Sequence, residues 1–195
     1  TVPGIYTVTL YKANECGVDS ITRIICVREQ PIAGFTLDKT ENCGPLSVTA
    51  SNTSPLPLCG ENSYGWEITR LNPENCDPSD GAGYTYTNGT SRESLNPSWN
   101  FSLPGRYLIK LRVQAVGNSA ASCSAGEFTD TVTIKAKPHP GITVPATVCV
   151  GQLVQPAVST IACYGNTVSG YEWTFTGGIP ATAGSMVPGD IRYNA

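Results

Sequence analysis

The chain has 195 residues, of which 14% are charged, and its formal net charge is -3. An average soluble domain carries about 25% charged residues, so this composition, with 20 Gly and 15 Pro, is typical of short strands joined by turns. No cluster of Lys and Arg stands out, which argues against nucleic acid as a partner, and no apolar run approaches the roughly 18 residues of a membrane span.

The first predicted elements are two strands within residues 1–29. They open with the segment PGIYTVTL at residues 3–10, which recurs as PGRYLIKL at residues 104–111 with Pro, Gly, Tyr and Leu in register. The offset between the two copies is 101 residues. A fixed period of this kind reveals the structural unit of a repeat protein before any single motif is interpreted.

The only complete unit is predicted at residues 30–137. Alternate positions of the segment RYLIKLRV are taken by Tyr107, Ile109, Leu111 and Val113, which predicts a strand with one face in the core. The other predicted strands are short and are separated by Gly, Pro, Asn and Ser, and no amphipathic helix competes with them. The strands are IAGFTLDKT, GPLSVTAS, YGWEITRL, WNF, RYLIKLRVQAV and FTDTVTIKA.

The last predicted elements, in residues 138–195, are the opening strands of a further unit. They follow a short Pro-rich joint at residues 137–140. Three landmarks of the complete unit return here at offsets of 106, 104 and 107 residues, and small loop insertions explain the drift. Cys43, Cys59 and the YGW of residues 64–66 recur as Cys149, Cys163 and the YEW of residues 171–173.

These features predict an all-β chain of tandem immunoglobulin-like Greek-key β-sandwiches, because a unit near 100 residues has the size of one such sandwich. One complete domain, 30–137, is expected between the closing strands of a preceding repeat, 1–29, and the opening strands of a following repeat, 138–195. A sandwich that lacks strands exposes an apolar face and an unpaired edge. We therefore expect residues 1–29 to complete residues 138–195 by fold-back, by exchange between chains, or through neighbouring sequence in a longer parent protein.

The PG-x-Y strand, the Thr-rich strand after it and the Y-x-W before it resemble the polycystic kidney disease (PKD) domain and its bacterial relatives. In that family the Trp lies in the core on the third strand, and the PG-x-Y strand packs near it. The resemblance implies core positions for Trp66 and Tyr107, and for Trp173 and Tyr6 in the flanking units. The acidic turn that usually follows the Trp is replaced here by residues 67–70, which favours the looser, cysteine-bearing PKD-like repeats.

Long arrays of such repeats are similar to surface proteins of Bacteroidota that are exported by the type IX system, including SprB-type gliding-motility adhesins. The resemblance implies a secreted or cell-surface protein. It also implies O-glycosylation at Ser20 and Thr131, because Asp19-Ser20-Ile21 and Asp130-Thr131-Val132 resemble the Asp-Ser/Thr-aliphatic acceptor of these bacteria. The two segments are expected at equivalent places in successive repeats. The alternative is that Ser and Thr simply begin strands.

The chain has eight cysteines and lacks the C-x-x-C motif of a zinc site or a thioredoxin-like redox pair. We therefore expect disulfides, which persist in oxidising surroundings, and an extracellular location. Free buried thiols are the alternative. Sequence proximity and the repeat predict the pairs Cys43–Cys59 and Cys149–Cys163. Cys76 and Cys123 remain in the complete unit and are expected to pair, which leaves the pair Cys16–Cys26.

The sequence offers little for catalysis, and we expect neither an enzyme nor a bound cofactor or metal. His139 is the only histidine, and it lies between two prolines in a predicted linker. A Ser-His-Asp or Cys-His site would require it. Asp77 and Asp80 offer oxygen ligands for calcium, but a turn built around Pro78 explains both residues more simply.

The expected function is that of a structural repeat segment of a long extracellular surface adhesin or filament, in cell adhesion or gliding motility. Its expected partners are neighbouring repeats and a surface polysaccharide or substratum, without membrane insertion. Short Pro-rich joints make tandem sandwiches semi-rigid. The alternative is a non-catalytic spacer or carbohydrate-binding accessory module of a secreted hydrolase. In that case Tyr84, Tyr86 and Trp99 form a sugar-stacking platform instead of lying in strands and loops.

Overall fold

A computed structural model describes residues 2–71, 81–116, 123–161 and 167–193. Within these ranges the chain is all-β, with several antiparallel sheets and no helix. Accordingly, none of the described segments is a helix suited by length and hydropathy to span a bilayer.

Seventeen strands are found in the described residues. They are β1 (Gly4–Asn14), β2 (Gly17–Val27), β3 (Phe35–Leu37), β4 (Glu41–Cys43), β5 (Leu46–Asn52), β6 (Glu61–Leu71), β7 (Tyr84–Thr87), β8 (Ser98–Phe101), β9 (Gly105–Val116), β10 (Gly126–Lys135), β11 (His139–Thr143), β12 (Leu153–Val154), β13 (Ala157–Ile161), β14 (Trp173–Thr174), β15 (Gly178–Ile179), β16 (Thr182–Ala183) and β17 (Ile191–Tyr193).

Strands β1 and β2 form a long antiparallel hairpin. The pairing runs from Gly4 opposite Val27 to Asn14 opposite Gly17, and Gly17 has a positive φ of 144° at the turn. Because successive side chains alternate between faces, one face carries Tyr6 and Val8 with Arg23 opposite Val8, while the other carries Thr7 and Thr9 with Ile24 opposite Thr7. Nearly all residues of the hairpin are exposed.

Strands β3 to β10 form two four-stranded sheets, with the orders β3-β5-β8-β7 and β4-β10-β9-β6. All pairings are antiparallel except that of β4 with β10, where Thr133 lies opposite Glu41. The chain changes sheet between β3 and β4. The amide of Asp38 donates a hydrogen bond to the carbonyl of Thr49 in the first sheet at 3.1 Å. Two residues later, the carbonyl of Thr40 accepts a hydrogen bond from the amide of Thr133 in the second sheet at 2.8 Å.

The main hydrophobic core lies between these two sheets. Edge-to-face contacts join them, because the ring centroid of Trp66 on β6 is 4.9 Å from that of Phe35 and 5.5 Å from that of Trp99. The alternation predicted for RYLIKLRV is confirmed, since its four core positions are fully buried. The buried members of this core are Phe35, Leu46, Val48, Ala50, Trp66, Trp99, Phe101, Tyr107, Ile109, Leu111, Val113, Val132 and Ile134. The arrangement is consistent with a β-sandwich.

The strand register fixes where the chain enters and leaves the two-sheet region. The start of β6 lies opposite the end of β9, as Glu61 opposite Val116. At the other end Ile134 lies opposite Gly105, and Lys135 opposite Cys43. We call the end with Glu61 and Val116 the joint end, because residues 28–34 lie against it. The end with Gly105 and Cys43 is the far end, where the chain leaves β10. The length of β9 separates them by roughly 35 Å at about 3.3 Å per residue.

Residues 138–193 form smaller sheets, with the orders β11-β13, β12-β17-β15 and β14-β16. Their buried hydrophobic residues are Val154, Phe175 and Ile191, while Ile142, Leu153 and others are exposed. Trp173 stacks on Phe175 with ring centroids 5.8 Å apart, and its indole N–H donates to the carbonyl of Ser185 at 2.9 Å. The small buried set indicates a much thinner core than that of β3 to β10.

Two of the four expected core residues lie elsewhere. Trp66 and Tyr107 are buried, with 2% and 0% of their surface exposed, but Tyr6 is 43% exposed and Trp173 is half-buried. The expectation for Tyr6 and Trp173 is therefore wrong for this chain. The physical reason is that no second sheet among the described residues covers either side chain. The proposed domain borders near residues 30 and 138 stay predictions.

Candidate functional site

A disulfide ties the hairpin to the two-sheet region. It joins Cys26, the penultimate residue of β2, to Cys59, which lies two residues before β6. The Cα atoms of these residues are 6.3 Å apart, and 33 positions separate them in sequence. Cross-linking a loop of this size removes conformational entropy from the unfolded chain and stabilises the fold by about 3.7 kcal/mol.

Arg28 reinforces the same joint with hydrogen bonds. Its Nη1 donates to the carbonyl oxygens of Glu61 at 2.9 Å and Val116 at 3.2 Å, and its Nη2 donates to Oδ1 of Asn62 at 2.6 Å. The two carbonyls belong to the ends of paired strands β6 and β9, where the ladder stops and acceptors need partners. A guanidinium is suited to this position because it holds several donors in one rigid plane.

Two glycines leave room for the joint segment. Gly60 has a positive φ of 71°, and a Cβ at this position would lie 3.2 Å from Nη1 of Arg28. A Cβ on Gly126, the first residue of β10, would collide with the carbonyl oxygen of Pro31. Pro31 is itself buried. The segment after β2 thus lies closely against the joint end, where a side chain on Gly126 would push it away.

A shallow cleft of about 450 Å³ lies beside the joint. It is lined by Val2, Arg28, Ile32 and the Pro-rich loop before β6. In that loop Leu56 is 87% exposed and Leu58 is 65% exposed. The cleft combines apolar surface with one cation, Arg28, and one anion, Glu29.

Two tyrosines make the same local hydrogen bond. The hydroxyl of Tyr107 donates to the carbonyl of Leu103 at 2.7 Å and lies 3.3 Å from that of Gly83. The hydroxyl of Tyr6 donates to the carbonyl of Val2, also four residues upstream and at 2.7 Å. The PG-x-Y motif is the sequence signal of this geometry, because Pro and Gly turn the chain between the acceptor and the tyrosine.

The disulfide overturns two of the four predicted cysteine pairs. Cys59 is bonded to Cys26, so the pairs Cys43–Cys59 and Cys16–Cys26 are wrong. Cys43 lies opposite Lys135 at the far end, roughly 35 Å from the joint end, and Cys16 lies in the hairpin turn, roughly 33 Å along β2 from Cys26. Closeness in sequence is thus not closeness in space.

The remaining cysteine predictions cannot be compared with a structure. Cys76 and Cys163 lie outside the described residues, so the pairs Cys76–Cys123 and Cys149–Cys163 stay predictions. Among the described part of the chain, the following residues have no disulfide partner: Cys16, Cys43, Cys123 and Cys149.

Ser20 and Thr131 lie on strands with the same local geometry but at different repeat positions. The carboxylate of the preceding Asp accepts a bond from each amide, at 2.8 Å for Ser20 and 2.7 Å for Thr131. Thr131 pairs with Leu108, and the residue that corresponds to Leu108 in the hairpin pairs with Ile24. Ile24, and not Ser20, therefore occupies the repeat position of Thr131. The expected equivalence of Ser20 and Thr131 is wrong by four residues. Ser20 is exposed and Thr131 is half-buried, and their glycosylation stays a prediction.

The largest ring of the proposed sugar-stacking platform, that of Trp99, lies in the core. Trp99 lies on β8 and is fully buried in the core, with its ring centroid 6.0 Å from that of Tyr86. Tyr84 and Tyr86 lie on β7 and are half-buried. Burial raises the pKa of Tyr86 above its usual value of 10.0. These aromatic residues belong to the core and to its margin. For Trp99 this agrees with the alternative interpretation, in which it is a strand residue.

The outer face of the β6-β9-β10 sheet carries an exposed charge ladder. Nζ of Lys110 lies 2.9 Å from Oε2 of Glu67 and 4.0 Å from Oε1 of Glu127. The hydrogen bond and charge of Lys110 lower the pKa of Glu67, and the hydrogen bond that Lys110 donates to Glu67 raises the pKa of Lys110. Exposed pairs of this kind contribute little to stability, and they form an ordinary solvated sheet face.

The residues considered for metal binding or catalysis are Asp77, Asp80 and His139. Asp77 and Asp80 lie outside the described residues. His139 is exposed at the start of β11. Within the described ranges no three His, Cys, Asp or Glu side chains come together as metal ligands would.

Comparison of the sequence with models of known protein families and with curated proteins gives no match. The similarity to PKD-like repeats therefore stays a prediction from the residues quoted above. What the molecule itself provides is an all-β fold, a cross-linked joint and a recurring tyrosine geometry.

Proposed function

We propose that this chain is a load-bearing repeat segment of a long extracellular adhesin or filament, built from PKD-like immunoglobulin-type sandwiches in series. The observation that carries the proposal is the joint, where Cys26 is bonded to Cys59 and Arg28 bonds the ends of two strands. A covalent bond between successive structural units is useful when the units are pulled apart.

The strand order supports the immunoglobulin-type arrangement. A constant-type immunoglobulin sandwich pairs strands A-B-E-D in one sheet and C-F-G in the other. The orders β3-β5-β8-β7 and β6-β9-β10 correspond to these sheets, with β4 added along β10. On this assignment β9 is strand F, and Tyr107 near its start bonds a carbonyl upstream, as in the tyrosine corner of such folds.

The same assignment supports the repeat. Tyr6 makes the corner bond at the start of β1, so β1 and β2 correspond to strands F and G of a preceding unit. The hairpin and the pair β9-β10 then share one design, offset by about one domain. This agrees with units at residues 1–29, 30–137 and 138–195.

The geometry of the joint determines how tension is transmitted through the chain. The chain meets the sandwich at the joint end and leaves it at the far end, so a pull on the chain acts along the strands. Tension reaching Cys26 passes through the sulfur atoms to Cys59 and bypasses residues 27–58. Strands β3, β4 and β5 are thereby shielded. About 115 Å of extended chain, at roughly 3.5 Å per residue, cannot be drawn out while the disulfide is intact.

The same bond supports an extracellular location. A disulfide indicates an oxidising compartment, and we assign the chain to the cell exterior. The exposed apolar loop with Leu56 and Leu58 is then available for adhesion to a polysaccharide or substratum. Export by the type IX system and a role in gliding motility belong to the proposal through the PKD-like resemblance, and no catalytic role is proposed.

Force spectroscopy tests the proposal. The full chain is held between flanking marker domains and stretched with and without a thiol reductant. Reduction of this bond is expected to lengthen the fully unfolded chain by about 11 nm, which is the locked length less the 6.3 Å between the Cα atoms. The control is the Cys26→Ser/Cys59→Ser chain, which reduction should lengthen by about 11 nm less than it lengthens the wild type. An unchanged length on reduction would contradict the proposed load-bearing role.

A further inference from the structure

The disulfide leads into the second sheet of the sandwich, the one that contains β6, β9 and β10. Cys59 lies two residues before Glu61, the first residue of β6. Arg28 donates to the carbonyl oxygens of Glu61 and Val116 at the same end of this sheet. Tension that reaches Cys26 therefore enters the start of β6, and it does not pass through β3, the next strand along the chain.

The chain leaves the sandwich from the same sheet, at its opposite end. β10 ends with Lys135 at the far end, roughly 35 Å from the joint end. Between β6 and β10 lies β9, which pairs with β6 along eleven residues and with β10 along nine. A pull on the chain draws β6 toward the joint end and β10 toward the far end. The hydrogen bonds of both ladders lie across the strands, so this pull loads all of them together.

Without the disulfide the same pull takes a different path. Tension then reaches β3 through residues 28–34 and acts on the pairing of β3 with β5, and after it on the pairing of β4 with β10. Each of these two ladders is three residues long. Detaching β3 also opens the core, because Phe35 is a buried member of it and its ring centroid lies 4.9 Å from that of Trp66. The sandwich is then expected to fail at its shortest ladders.

Side chains on both faces of β9 reinforce the long ladders. On the core face, the four alternating core residues of RYLIKLRV are fully buried, so sliding β9 along its neighbours would drag them against the other sheet. On the outer face, Nζ of Lys110 lies 2.9 Å from Glu67 of β6 and 4.0 Å from Glu127 of β10. β3 has a weaker hold, since it places only Phe35 and the half-buried Leu37 on the core face.

We propose that the Cys26–Cys59 bond selects which strands resist tension, by directing the load into the β6-β9-β10 sheet and away from β3 and β4. With the bond present, the sandwich resists through the nine-residue ladder of β9 and β10, the shorter of the two loaded ladders. With the bond absent, at most six paired residues resist. This inference rests on the proposed load-bearing function and adds to it that the joint sets the force at which the sandwich opens.

The unfolding force of the oxidised full chain tests the inference. Wild type is compared with the Cys26→Ser/Cys59→Ser chain, and the sandwich event is the one whose released length differs by about 11 nm between the two. Wild type should unfold at a force at least about 1.5-fold higher, because nine paired residues share the load in place of six at most. Equal forces would overturn the inference, while the 11 nm difference in length still reports separately on the proposed function.

Two half-buried leucines provide a matched pair of variants. Leu108 on β9 lies opposite Thr69 and Thr131 and so belongs to both loaded ladders, whereas Leu37 lies on β3, inside the loop that the disulfide closes. Because Gly weakens the strand that carries it, Leu108→Gly, or the milder Leu108→Ala, should lower the unfolding force of the disulfide-bonded chain. Leu37→Gly should leave that force unchanged and lower it only in the chain without the disulfide. An equal loss from both positions in the disulfide-bonded chain would overturn the inference.

Discussion

Removing the disulfide gives the sharpest test of the joint by solution methods. In the Cys26→Ser/Cys59→Ser chain the unfolded state regains the freedom of a loop of 33 positions, which lowers the free energy of unfolding by about 3.7 kcal/mol. With a urea dependence of about 1–3 kcal/mol per molar, the midpoint should fall by roughly 1–4 M. Emission of Trp66 and Trp99 reports the transition, because both are buried in the sandwich core.

Two controls decide what such a loss means. Cys16→Ser changes an exposed thiol in the hairpin turn that has no disulfide partner in the described chain, and it should leave the midpoint unchanged. In the presence of a thiol reductant the wild type and the double variant should share one midpoint, because the bond that distinguishes them is then absent. An equal loss in Cys43→Ser, or no loss in the double variant, would refute the assignment of Cys59 to Cys26.

The structure predicts the outcomes of five further substitutions. Tyr107→Phe should cost about 0.5–1.5 kcal/mol in urea unfolding, because the half-buried carbonyl of Leu103 loses its donor. Tyr6→Phe should leave the unfolding of the sandwich unchanged, since the same bond is exposed in the hairpin. Arg28→Gln should speed proteolysis of the joint segment and Gly126→Ala should do so more strongly, because the first loses hydrogen bonds and the second meets backbone. Burial raises the pKa of Tyr86, so the unfolded state ionises first and stability should fall as the pH rises past 10.0; Tyr86→Phe should lose less stability between pH 8 and 11.

Much of the sandwich is predictable from sequence, because the relevant signals are local. The alternation in RYLIKLRV predicts β9, and its core positions are buried. Trp66 is recognisable from the Y-x-W pattern and lies in the core. Such signals work where burial on one face of a strand decides the choice of residue.

The joint is not predictable in the same way, because it depends on long-range geometry. The pairing of Cys59 requires knowing that the chain changes sheet after β3, which carries Cys43 to the far end. Arg28 is a lone residue in a loop, and nothing in the periodicity identifies its acceptors on β6 and β9. Tyr6 has the motif of a core residue, but a motif cannot tell whether a second sheet covers it.

The most direct test of the account is the disulfide map of the non-reduced chain. Trypsin releases residues 24–28 with Cys26, but leaves Cys43 and Cys59 in one peptide, so a second cleavage with chymotrypsin after Leu46 is needed to separate them. A load-bearing joint predicts that mass spectrometry finds the Cys26 peptide linked to the fragment that contains Cys59. Linkage of Cys26 to Cys16 or Cys43, or of Cys59 to Cys43, would contradict it.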